Sequence, residues 1–391
     1  MTAFLPAHPE EITPAWLSAA LQQRPEFADL EVCSIDVEIL GADAGFMGVI
    51  ARMRLATEPS GLPQSLIAKF PTTESDNRLM GEMLGVYWRE IHFYREFAAD
   101  FPVRVPRCYY AELTPDPMRE RSDDIVKAID RIPFWLNALL TPISRWIVKR
   151  NAHRYVLLIE DLAPARVGDQ LAGAEPAVLA HVLEAAARMH ARFWQSPRLE
   201  EPFWLTRQNL GARMRHGLYR RSRKAFRARY DRLLRDERAA AVAWLDRNGI
   251  ALQTALGAEA PRTLIHGDLR FDNVFLYEEQ AIFADWQLVG SGAAAYDLAY
   301  FLSGALRSDA GSEVEQSLLH GYHDSLTRHG VREYPFERLQ QDYWRGLFAA
   351  FSVIASSDAL NFGDGRGRQM MDRWVERCLS LLARVPLERV L

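Results

Sequence analysis

Lysine is scarce in this chain, and its scarcity makes each lysine informative. Four of the 47 basic residues are lysines, at positions 69, 127, 149 and 224, and all the others are arginines. The bias itself is typical of genome composition rather than of one function. Because the two side chains differ in geometry and hydration, a lysine at a suggestive position of such a sequence indicates a specific role.

Cysteine and net charge are also low. Cys33, Cys108 and Cys378 lie far apart, fit no metal-binding spacing and cannot all pair. This pattern predicts a reducing compartment and therefore the cytoplasm. The formal net charge of -4 offers no bulk attraction to nucleic acid or to a membrane surface, so we expect no nucleic-acid partner.

Long apolar runs are missing as well. The longest weakly polar stretch begins at Gly346 and meets two serines and an aspartate. It ends well short of the roughly 18 to 20 apolar residues of a spanning helix. The N-terminus has neither the basic nor the apolar segment of a signal peptide. The sequence therefore predicts no membrane span.

The N-terminal part combines helical and strand-like periods. A helix is predicted over 10–23, with Thr13 as its N-cap and Pro14 at its first position. A second helical period covers 76–99. Short alternating or apolar segments bounded by turn residues predict strands, of which the first three are consecutive and antiparallel. These strands lie near 31–40, 47–56, 65–70, 107–113 and 154–160.

The remainder of the chain is mostly helical, beginning with a strong helix from about Glu175. The exception is 264–285, where three short strands are predicted. The length of 391 residues favours two domains. We therefore predict an α+β fold, with an antiparallel sheet plus helix in a lobe over 1–163 and a mostly helical lobe over 164–391. The first lobe carries an insertion at about 114–153.

Lys69 stands at the end of the third predicted strand, and Glu90 follows in the helical segment. Glu90 interrupts an apolar stripe with helical spacing, whereas Glu82 and Glu96 fall outside it and are expected to be solvated. The stripe consists of Leu79, Met83, Val86, Glu90, Phe93 and Phe97. A carboxylate in a buried stripe is costly without a cation, so Lys69 is its natural partner. The alternatives are a solvent-reaching edge lysine and a glutamate at the rim of the stripe.

The segment LIHGDLRFDNVFL, residues 264–276, carries the chemistry. His266, Asp268 and Asn273 have the spacing H-x-D-x-x-x-x-N of the catalytic loop of kinase-like phosphotransferases. Transfer of a γ-phosphoryl group to a hydroxyl needs a carboxylate that accepts the hydroxyl proton. It also needs oxygen ligands for Mg2+ on the phosphates. Asp268 suits the first role and Asn273 the second.

Two further aspartates follow the motif. Asp285 ends the strand AIFAD, twelve residues after Asn273, where a second metal-binding carboxylate is expected at the far end of a hairpin. Asp297, in YDLAY, is interpreted as a structural residue that caps or braces the catalytic loop from a helix.

Together these segments resemble a known family. HGDLRFDNVFL, ADWQLVGSGAAAYDLAYFL, LLIEDL and EAAARMHARFW are similar to the aminoglycoside-phosphotransferase and choline-kinase-like superfamily. Asp285 with Gln287, and His190 with Trp194, resemble its ecdysteroid-kinase-like branch. The resemblance extends from about Gly41 to Leu306. It implies a two-lobed protein-kinase-like fold that uses ATP.

The resemblance assigns roles to six of the residues already singled out. It implies that Lys69 contacts the α and β phosphates of ATP and is held by Glu90. Asp268 is implied as the catalytic base, with Asn273 and Asp285 as Mg2+ ligands. His266, in this family, is mostly a packing and hydrogen-bonding residue.

The resemblance also implies two segments that contact the nucleotide. The segment Glu160 to Leu162 corresponds to the hinge that presents backbone groups to adenine. Gly45 lies in the loop between the first two strands, which reads G-x-x-x-G-x-x-G over 41–48 and departs from the protein-kinase G-x-G-x-x-G. Neither a Walker P-loop nor an A-P-E motif is present, so a Walker ATPase and a regulated protein kinase are disfavoured.

Two segments bear on the acceptor. The insertion is too apolar for disorder and is a packed helical element, a flap over an apolar acceptor or a surface that leans on lipid. Residues 213–238 hold eleven basic residues against three acidic ones, and 305–391 hold twelve acidic against eleven basic. Aminoglycosides are polycations that favour an acidic pocket, so an apolar or an anionic alcohol is the better candidate.

We therefore predict an ATP- and Mg2+-dependent small-molecule kinase whose acceptor is a hydroxyl of an apolar or sterol-like metabolite. The alternatives are an aminoglycoside or other antibiotic kinase, a kinase of protein substrates, and a non-catalytic nucleotide-binding module. The sequence predicts neither the identity of the acceptor nor the oligomeric state.

Overall fold

The structure is a computed structural model that describes residues 4–40, 48–59, 63–115, 122–132, 153–208, 210–357 and 365–391. The described residues form two compact units. The first unit contains 4–101, 105–115 and 153–165. The second contains 102–104, 122–132 and the residues from 166 onwards. The predicted lobe boundary at residue 163 stays a prediction.

The first unit is an antiparallel sheet with three helices. Its strands are β1 (Glu31–Leu40), β2 (Gly48–Glu58), β3 (Ser65–Pro71), β4 (Cys108–Leu113) and β5 (Tyr155–Glu160). Its helices are α1 (Pro14–Leu21), α2 (Ser75–Leu84) and α3 (Val86–Glu96). The strands pair in the order β1-β2-β3-β5-β4, and every neighbouring pair is antiparallel. The predicted strands and their antiparallel arrangement are thus confirmed.

Helix α1 is a case where local sequence rules hold. The Thr13 hydroxyl accepts a hydrogen bond from the Trp16 backbone N–H, and Pro14 occupies the first helical position. The Thr13 hydroxyl pairs one of the backbone N–H groups that the start of a helix leaves without a partner, and Pro14 has no N–H group that needs one. Leu17 and Leu21 then pack into one buried apolar cluster with residues of the sheet. The predicted cap is confirmed, and the helix is shorter than the predicted 10–23.

The helical segment after β3 differs from the prediction of one continuous stripe. Gly85 adopts a left-handed conformation with φ 67°, which ends α2 and begins α3. A turn of this kind changes the direction of the chain, so the buried face of α3 does not continue that of α2. Val86, Glu90 and Phe93 are therefore buried as predicted, whereas Met83 is 56% exposed.

Glu82 is correspondingly buried and not solvated, which corrects the sequence expectation. It lies on the inner face of α2 and is 3% exposed. Its carboxylate accepts a hydrogen bond from the Tyr155 hydroxyl at 3.0 Å and from Arg78 Nε at 3.0 Å. These donors offset the cost of burying its charge.

The second unit is mostly helical, as predicted. Its helices are α4 (Ser122–Arg131), α5 (Pro176–Arg192), α6 (Ala212–Arg229), α7 (Asp236–Ala258), α8 (Ala294–Ala305), α9 (Ser312–Arg328), α10 (Phe336–Ser357) and α11 (Arg366–Leu382). Its strands are β6 (Arg166–Val167), β7 (Arg262–Ile265), β8 (Val274–Tyr277), β9 (Gln280–Phe283) and β10 (Gly290–Ala293). The α+β class of the chain is confirmed.

Helix α8 forms the centre of the second unit. Every one of its residues is buried, and its many alanines let neighbouring helices approach closely. A Cβ added at Gly346 of α10 would lie 2.6 Å from the Ala295 carbonyl oxygen, so that position admits only glycine without a shift. The close packing fixes the side chains that α8 directs at the site described below.

Four of the short strands position the segment 264–276. β7 pairs with β10, which the sequence analysis did not predict, and β8 pairs with β9 in the predicted hairpin. The segment between β7 and β8 is thereby anchored at both ends. Helix α4 is the part of the predicted insertion that the structure describes. Most other residues of 114–153 lie outside the described ranges.

None of the helices in the described ranges combines the length and apolar character that a membrane span requires.

Candidate active site

The loop after β7 is held by a buried carboxylate. Asp297 accepts hydrogen bonds from the backbone N–H groups of His266, at 2.6 Å, and Gly267, at 3.0 Å. It also lies 3.3 Å from Nε2 of the buried His190. Gly267 has φ 79°, and a Cβ there would lie 2.1 Å from the Leu288 carbonyl oxygen. The interpretation of Asp297 as a brace of this loop is confirmed.

Asp268 is the next residue of the loop and is buried. Its Oδ1 accepts a hydrogen bond from the Tyr300 hydroxyl at 2.9 Å, and its Oδ2 accepts one from Asn273 Nδ2 at 3.1 Å. Burial raises the pKa of the Asp268 carboxyl, and the charge of Asp285 adds to this rise while Arg270 opposes it. A carboxylate with a raised pKa that is oriented by two donors suits a general base.

Asn273 and Asp285 are brought to the same place by backbone contacts. The Ala284 N–H donates to the Asn273 carbonyl oxygen at 3.0 Å, and the Ala284 carbonyl lies 3.0 Å from Nε2 of His266. Asp285 follows directly, with φ 66° and ψ 62°. A non-glycine residue in this left-handed region is uncommon and is typical of functional positions. The structure thus brings Asp268, Asn273 and Asp285 into one neighbourhood.

His266 is a packing residue, as expected. It is fully buried, and its ring centroid lies 4.5 Å from that of Trp286. Burial lowers the pKa of its imidazole, and the charges of Asp297 and Asp268 oppose this only in part.

Arg270 is a charged neighbour of Asp268 that the sequence analysis did not single out. Its Nε lies 3.5 Å from Asp268 Oδ2, and its Nη1 lies 3.7 Å from the sulfur of Met370. Nε is buried and has no hydrogen-bond partner among the described residues. The sequence carried a signal for Arg270 in the Asp-x-Arg spacing within the motif. A cation two residues from a buried carboxylate is close enough to reach the same site.

A second set of contacts connects the loop with residues that are far from it in the sequence. Gln170 Oε1 accepts from the Phe271 N–H at 2.8 Å, and the Gln170 N–H donates to Asp272 at 2.9 Å. Arg377, on α11, donates to the carbonyl oxygens of Gln170 and Gly304 at 2.6 Å each. No sequence pattern pointed to these residues, since their partners lie more than 70 positions away in the chain.

In the first unit, Lys69 and Glu90 form the predicted pair. Nζ of Lys69 lies 2.6 Å from Glu90 Oε1, and the side chains are 14% and 8% exposed. Lys69 is on β3 between β2 and β5, opposite Ile50 and Leu157. The pairing is confirmed, whereas the contact of Lys69 with nucleotide phosphates stays a prediction.

The predicted hinge follows β5. The Glu160 N–H donates to the Arg107 carbonyl oxygen at 2.8 Å, and its carboxylate accepts from the Arg107 N–H at 3.0 Å. The Leu162 carbonyl accepts from the Ala165 N–H at 2.7 Å. Asp161 accepts from Arg52 and Ser65. The segment is therefore held in a defined conformation, and its role toward adenine stays a prediction.

Gly45, the remaining predicted contact, lies outside the described residues.

Sequence comparison identifies the family. A profile of the phosphotransferase enzyme family APH matches residues 48–334, which is more than half of the chain. The chain therefore belongs to the APH phosphotransferase family. This membership confirms the predicted superfamily and the predicted enzyme class, a small-molecule kinase. The comparison with proteins of curated function gives no match.

Solved structures support the same fold. The choline kinase from Cryptosporidium parvum Iowa II matches with a TM-score of 0.52 and 9% identity, over 92% of this chain and 94% of that chain. The amicoumacin kinase hAmiN matches with a TM-score of 0.51 and 12% identity, over 91% of this chain and 92% of that chain. At such identities the likeness concerns the fold, and the predicted kinase-like fold is confirmed.

Proposed function

We propose that this protein uses Mg-ATP to phosphorylate a hydroxyl group of a small organic molecule, with Asp268 as the general base. The observation that carries the proposal is the setting of Asp268. Its carboxylate is buried, and Tyr300 and Asn273 each donate to one of its oxygens. Each carboxylate oxygen can accept more than one hydrogen bond, so the acceptor hydroxyl finds a lone pair there.

The transfer itself needs little covalent participation by the protein. The acceptor oxygen bonds to the γ-phosphorus while the bond from that phosphorus to the β,γ-bridging oxygen breaks. The hydroxyl proton passes to Asp268, and ADP leaves. Tyr300 and Asn273 hold the carboxylate in one orientation. A positioned base of this kind contributes about 10^2 to 10^4-fold to the rate.

The nucleotide contacts proposed for the first unit are Lys69 on the α and β phosphates, with Glu90 holding its ammonium group. Glu160 and Leu162 are proposed to present backbone groups to adenine, and Gly45 to lie in the phosphate loop. The short Lys69–Glu90 contact supports the first assignment, because it fixes a long and flexible side chain. The amicoumacin kinase hAmiN was solved in complex with AMP-PNP and Ca2+.

A Mg2+ ion fits the proposed ligands. Asn273 turns its Nδ2 toward Asp268, which leaves its Oδ1 as a ligand atom, and Asp285 supplies a carboxylate. Mg2+ prefers such oxygen ligands and commonly combines one or two of them with substrate phosphates. Among the described residues, no group of three or more His, Cys, Asp or Glu side chains is arranged to hold a metal. When bound, the ion supplies charge that neutralises the phosphates.

We place the acceptor among apolar or sterol-like alcohols, as in the ecdysteroid-kinase-like branch that the sequence resembles. The basic segment 213–238 supports this choice over an aminoglycoside. An antibiotic kinase is the second candidate, since the fold is shared with the amicoumacin kinase. The cytoplasm is the proposed compartment, because all three cysteines are unpaired.

The test is Asp268→Asn, which keeps the shape of the side chain and removes its basicity. We expect γ-phosphoryl transfer to fall by about 10^2 to 10^4-fold. Transfer is measured as slow ATP hydrolysis without an acceptor and as turnover with a panel of alcohols. AMP-PNP should raise the melting temperature as it does for the wild type.

Asp324→Asn, an exposed change on α9, is the control and should leave transfer unchanged. Transfer by Asp268→Asn within a few-fold of the wild type would overturn the assignment of the base. Wild-type protein that binds AMP-PNP and transfers nothing would favour a silent nucleotide-binding module.

A further inference from the structure

Arg270 is a cation beside the proposed base whose N–H donors are mostly unused. Its Nε is buried and lies 3.5 Å from Asp268 Oδ2 without forming a hydrogen bond. Its Nη1 contacts the sulfur of Met370 at 3.7 Å, a weak acceptor, and lies 4.0 Å from Asp272 Oδ2. Within the described ranges, Nη2 makes no hydrogen bond. Since a guanidinium carries five N–H donors, this one has donors left for a ligand.

The backbone holds Arg270 in place next to Asp268. The Arg270 N–H donates to the Asp268 carbonyl oxygen at 2.8 Å, and the Arg270 carbonyl oxygen accepts from the Asn273 N–H at 2.9 Å. The side chain is 19% exposed, so the guanidinium is neither enclosed in the core nor surrounded by solvent. Arg270 is therefore a positioned cation that a ligand can reach.

Bracing of a carboxylate does not account for this arrangement. An arginine that orients a carboxylate commonly donates two parallel hydrogen bonds to it. Arg270 makes no hydrogen bond to Asp268 or Asp272, from which it lies 3.5 and 4.0 Å away. The two oxygens of Asp268 accept from Tyr300 and Asn273 instead. Asp268 is thus oriented without Arg270.

The proposed transfer brings two anionic groups together at this place. The acceptor oxygen lies between Asp268 and the γ-phosphorus, so the γ-phosphoryl oxygens approach a buried carboxylate. Like charges repel each other more strongly where water is excluded. Among the described residues, Arg270 is the only lysine or arginine within 4.0 Å of the Asp268 carboxylate. A cation there offsets the repulsion and can donate to the phosphoryl oxygens.

Resting on the proposed function, we infer that the guanidinium of Arg270 donates hydrogen bonds to the γ-phosphoryl oxygens of ATP and stabilises their charge during the transfer. No covalent bond forms at Arg270, and the bonds made and broken are those given above. Arg270 is thus a further catalytic residue of the proposed reaction, distinct from the base and from the metal ligands.

The test compares two nucleotides, of which one has a γ-phosphoryl group and the other lacks it. AMP-PNP and ADP are titrated with Mg2+ present, and their Kd values are measured by calorimetry for the wild type and Arg270→Met. We expect the Kd of AMP-PNP to rise about 10 to 100-fold and the Kd of ADP to stay unchanged. Transfer, measured as above, should fall by about 10^2 to 10^3-fold.

Two further variants calibrate this result. Arg270→Lys should recover part of the loss, because it keeps the charge without the planar fork. Arg366→Met is the matched control. Arg366, on α11, is 55% exposed, and its Nη2 lies 3.6 Å from Asp272 Oδ1, so it is an arginine beside the same loop that does not contact Asp268. This control should change neither Kd.

A second background separates direct contact from an effect through Asp268. In Asp268→Asn the charge of the carboxylate is absent, so a cation that only offsets this charge would have nothing to offset. We expect Arg270→Met to weaken the binding of AMP-PNP about 10-fold or more in this background as well. Disappearance of the loss would overturn the inference, because Arg270 would then be a positioning residue that acts through Asp268.

The inference is also overturned if Arg270→Met weakens AMP-PNP and ADP equally, or if it weakens neither. If Arg270→Met does not fold, Arg270→Lys decides: a loss confined to AMP-PNP supports the inference, and an unchanged ratio of the two Kd values overturns it. Failure of the proposed function has another signature, since Asp268→Asn would then leave transfer unaltered, whichever way the two nucleotides bind.

Discussion

The Lys69–Glu90 pair and the Asp268 loop are built in different ways. The pair consists of two side chains on neighbouring elements, 21 residues apart, joined by one contact of 2.6 Å. The loop is held by Asp297, Tyr300 and Gln170, through hydrogen bonds that span 30 to 101 residues.

This difference shows what each region depends on. The pair depends on which faces of β3 and α3 are buried, and those faces follow from local periodicity. The loop depends on buried donors and acceptors that have to meet across the fold, and a buried donor that loses its acceptor is costly. We therefore expect changes around the loop to affect folding more than changes in the pair.

The largest effect is expected for Asp297→Ala, which removes the brace of the loop. The backbone N–H groups of His266 and Gly267 would lose a fully buried acceptor. We expect the free energy of unfolding to fall by about 3 to 5 kcal/mol, measured by urea denaturation. Asp324→Ala, at an exposed position of α9, serves as control. A loss below about 1 kcal/mol would show that water replaces the carboxylate.

A smaller effect is expected when the pair is broken. Lys69→Met leaves the Glu90 carboxylate without the cation at 2.6 Å, and we expect the free energy of unfolding to fall by about 2 kcal/mol. Adding Glu90→Gln should recover about half of this loss. Turnover should stay low in both variants, since the proposed phosphate contact is absent.

Lys224→Met, an exposed change on α6, controls for the loss of a lysine. Full turnover in the double variant would contradict the proposed role of Lys69, and a further loss of stability in it would contradict the coupling between the two side chains.

The smallest effect is expected at the turn that orients Glu90. Gly85→Ala places a Cβ on a residue with φ 67°, and we expect the free energy of unfolding to fall by about 1 kcal/mol. Gly321→Ala, in α9 with open space around it, should instead stabilise the protein by about 0.5 to 1 kcal/mol. Equal effects of the two substitutions would mean that the left-handed turn does not constrain the chain.

Local signals predicted the elements of the first unit well. Thr13 and Pro14 mark the start of α1, and alternation placed Lys69 on a face of β3 that meets Glu90. The break at Gly85 was missed because one glycine within an apolar helical period is compatible with a continuous helix. The burial of Glu82 was missed for the same reason, since its face depends on that break.

The motif 264–276 predicted which residues come together around Asp268, but not what supports them. Asp297 was recognised as a brace, whereas Tyr300, Gln170 and Arg270 were not. The side chains of Tyr300 and Gln170 reach the loop only because α8 is buried and other segments pack against it, whereas Arg270 lies within the motif itself.

The sequence by itself determined the kinase-like class, the five strands of the first unit, the Lys69–Glu90 pair and the acidic motif that follows β7. Each of these rests on spacing or periodicity within a few tens of residues. Only the tertiary structure decided which distant groups hold the Asp268 loop, and it ended α2 at Gly85. Those contacts join residues far apart in the chain, where no local pattern constrains one partner by the other.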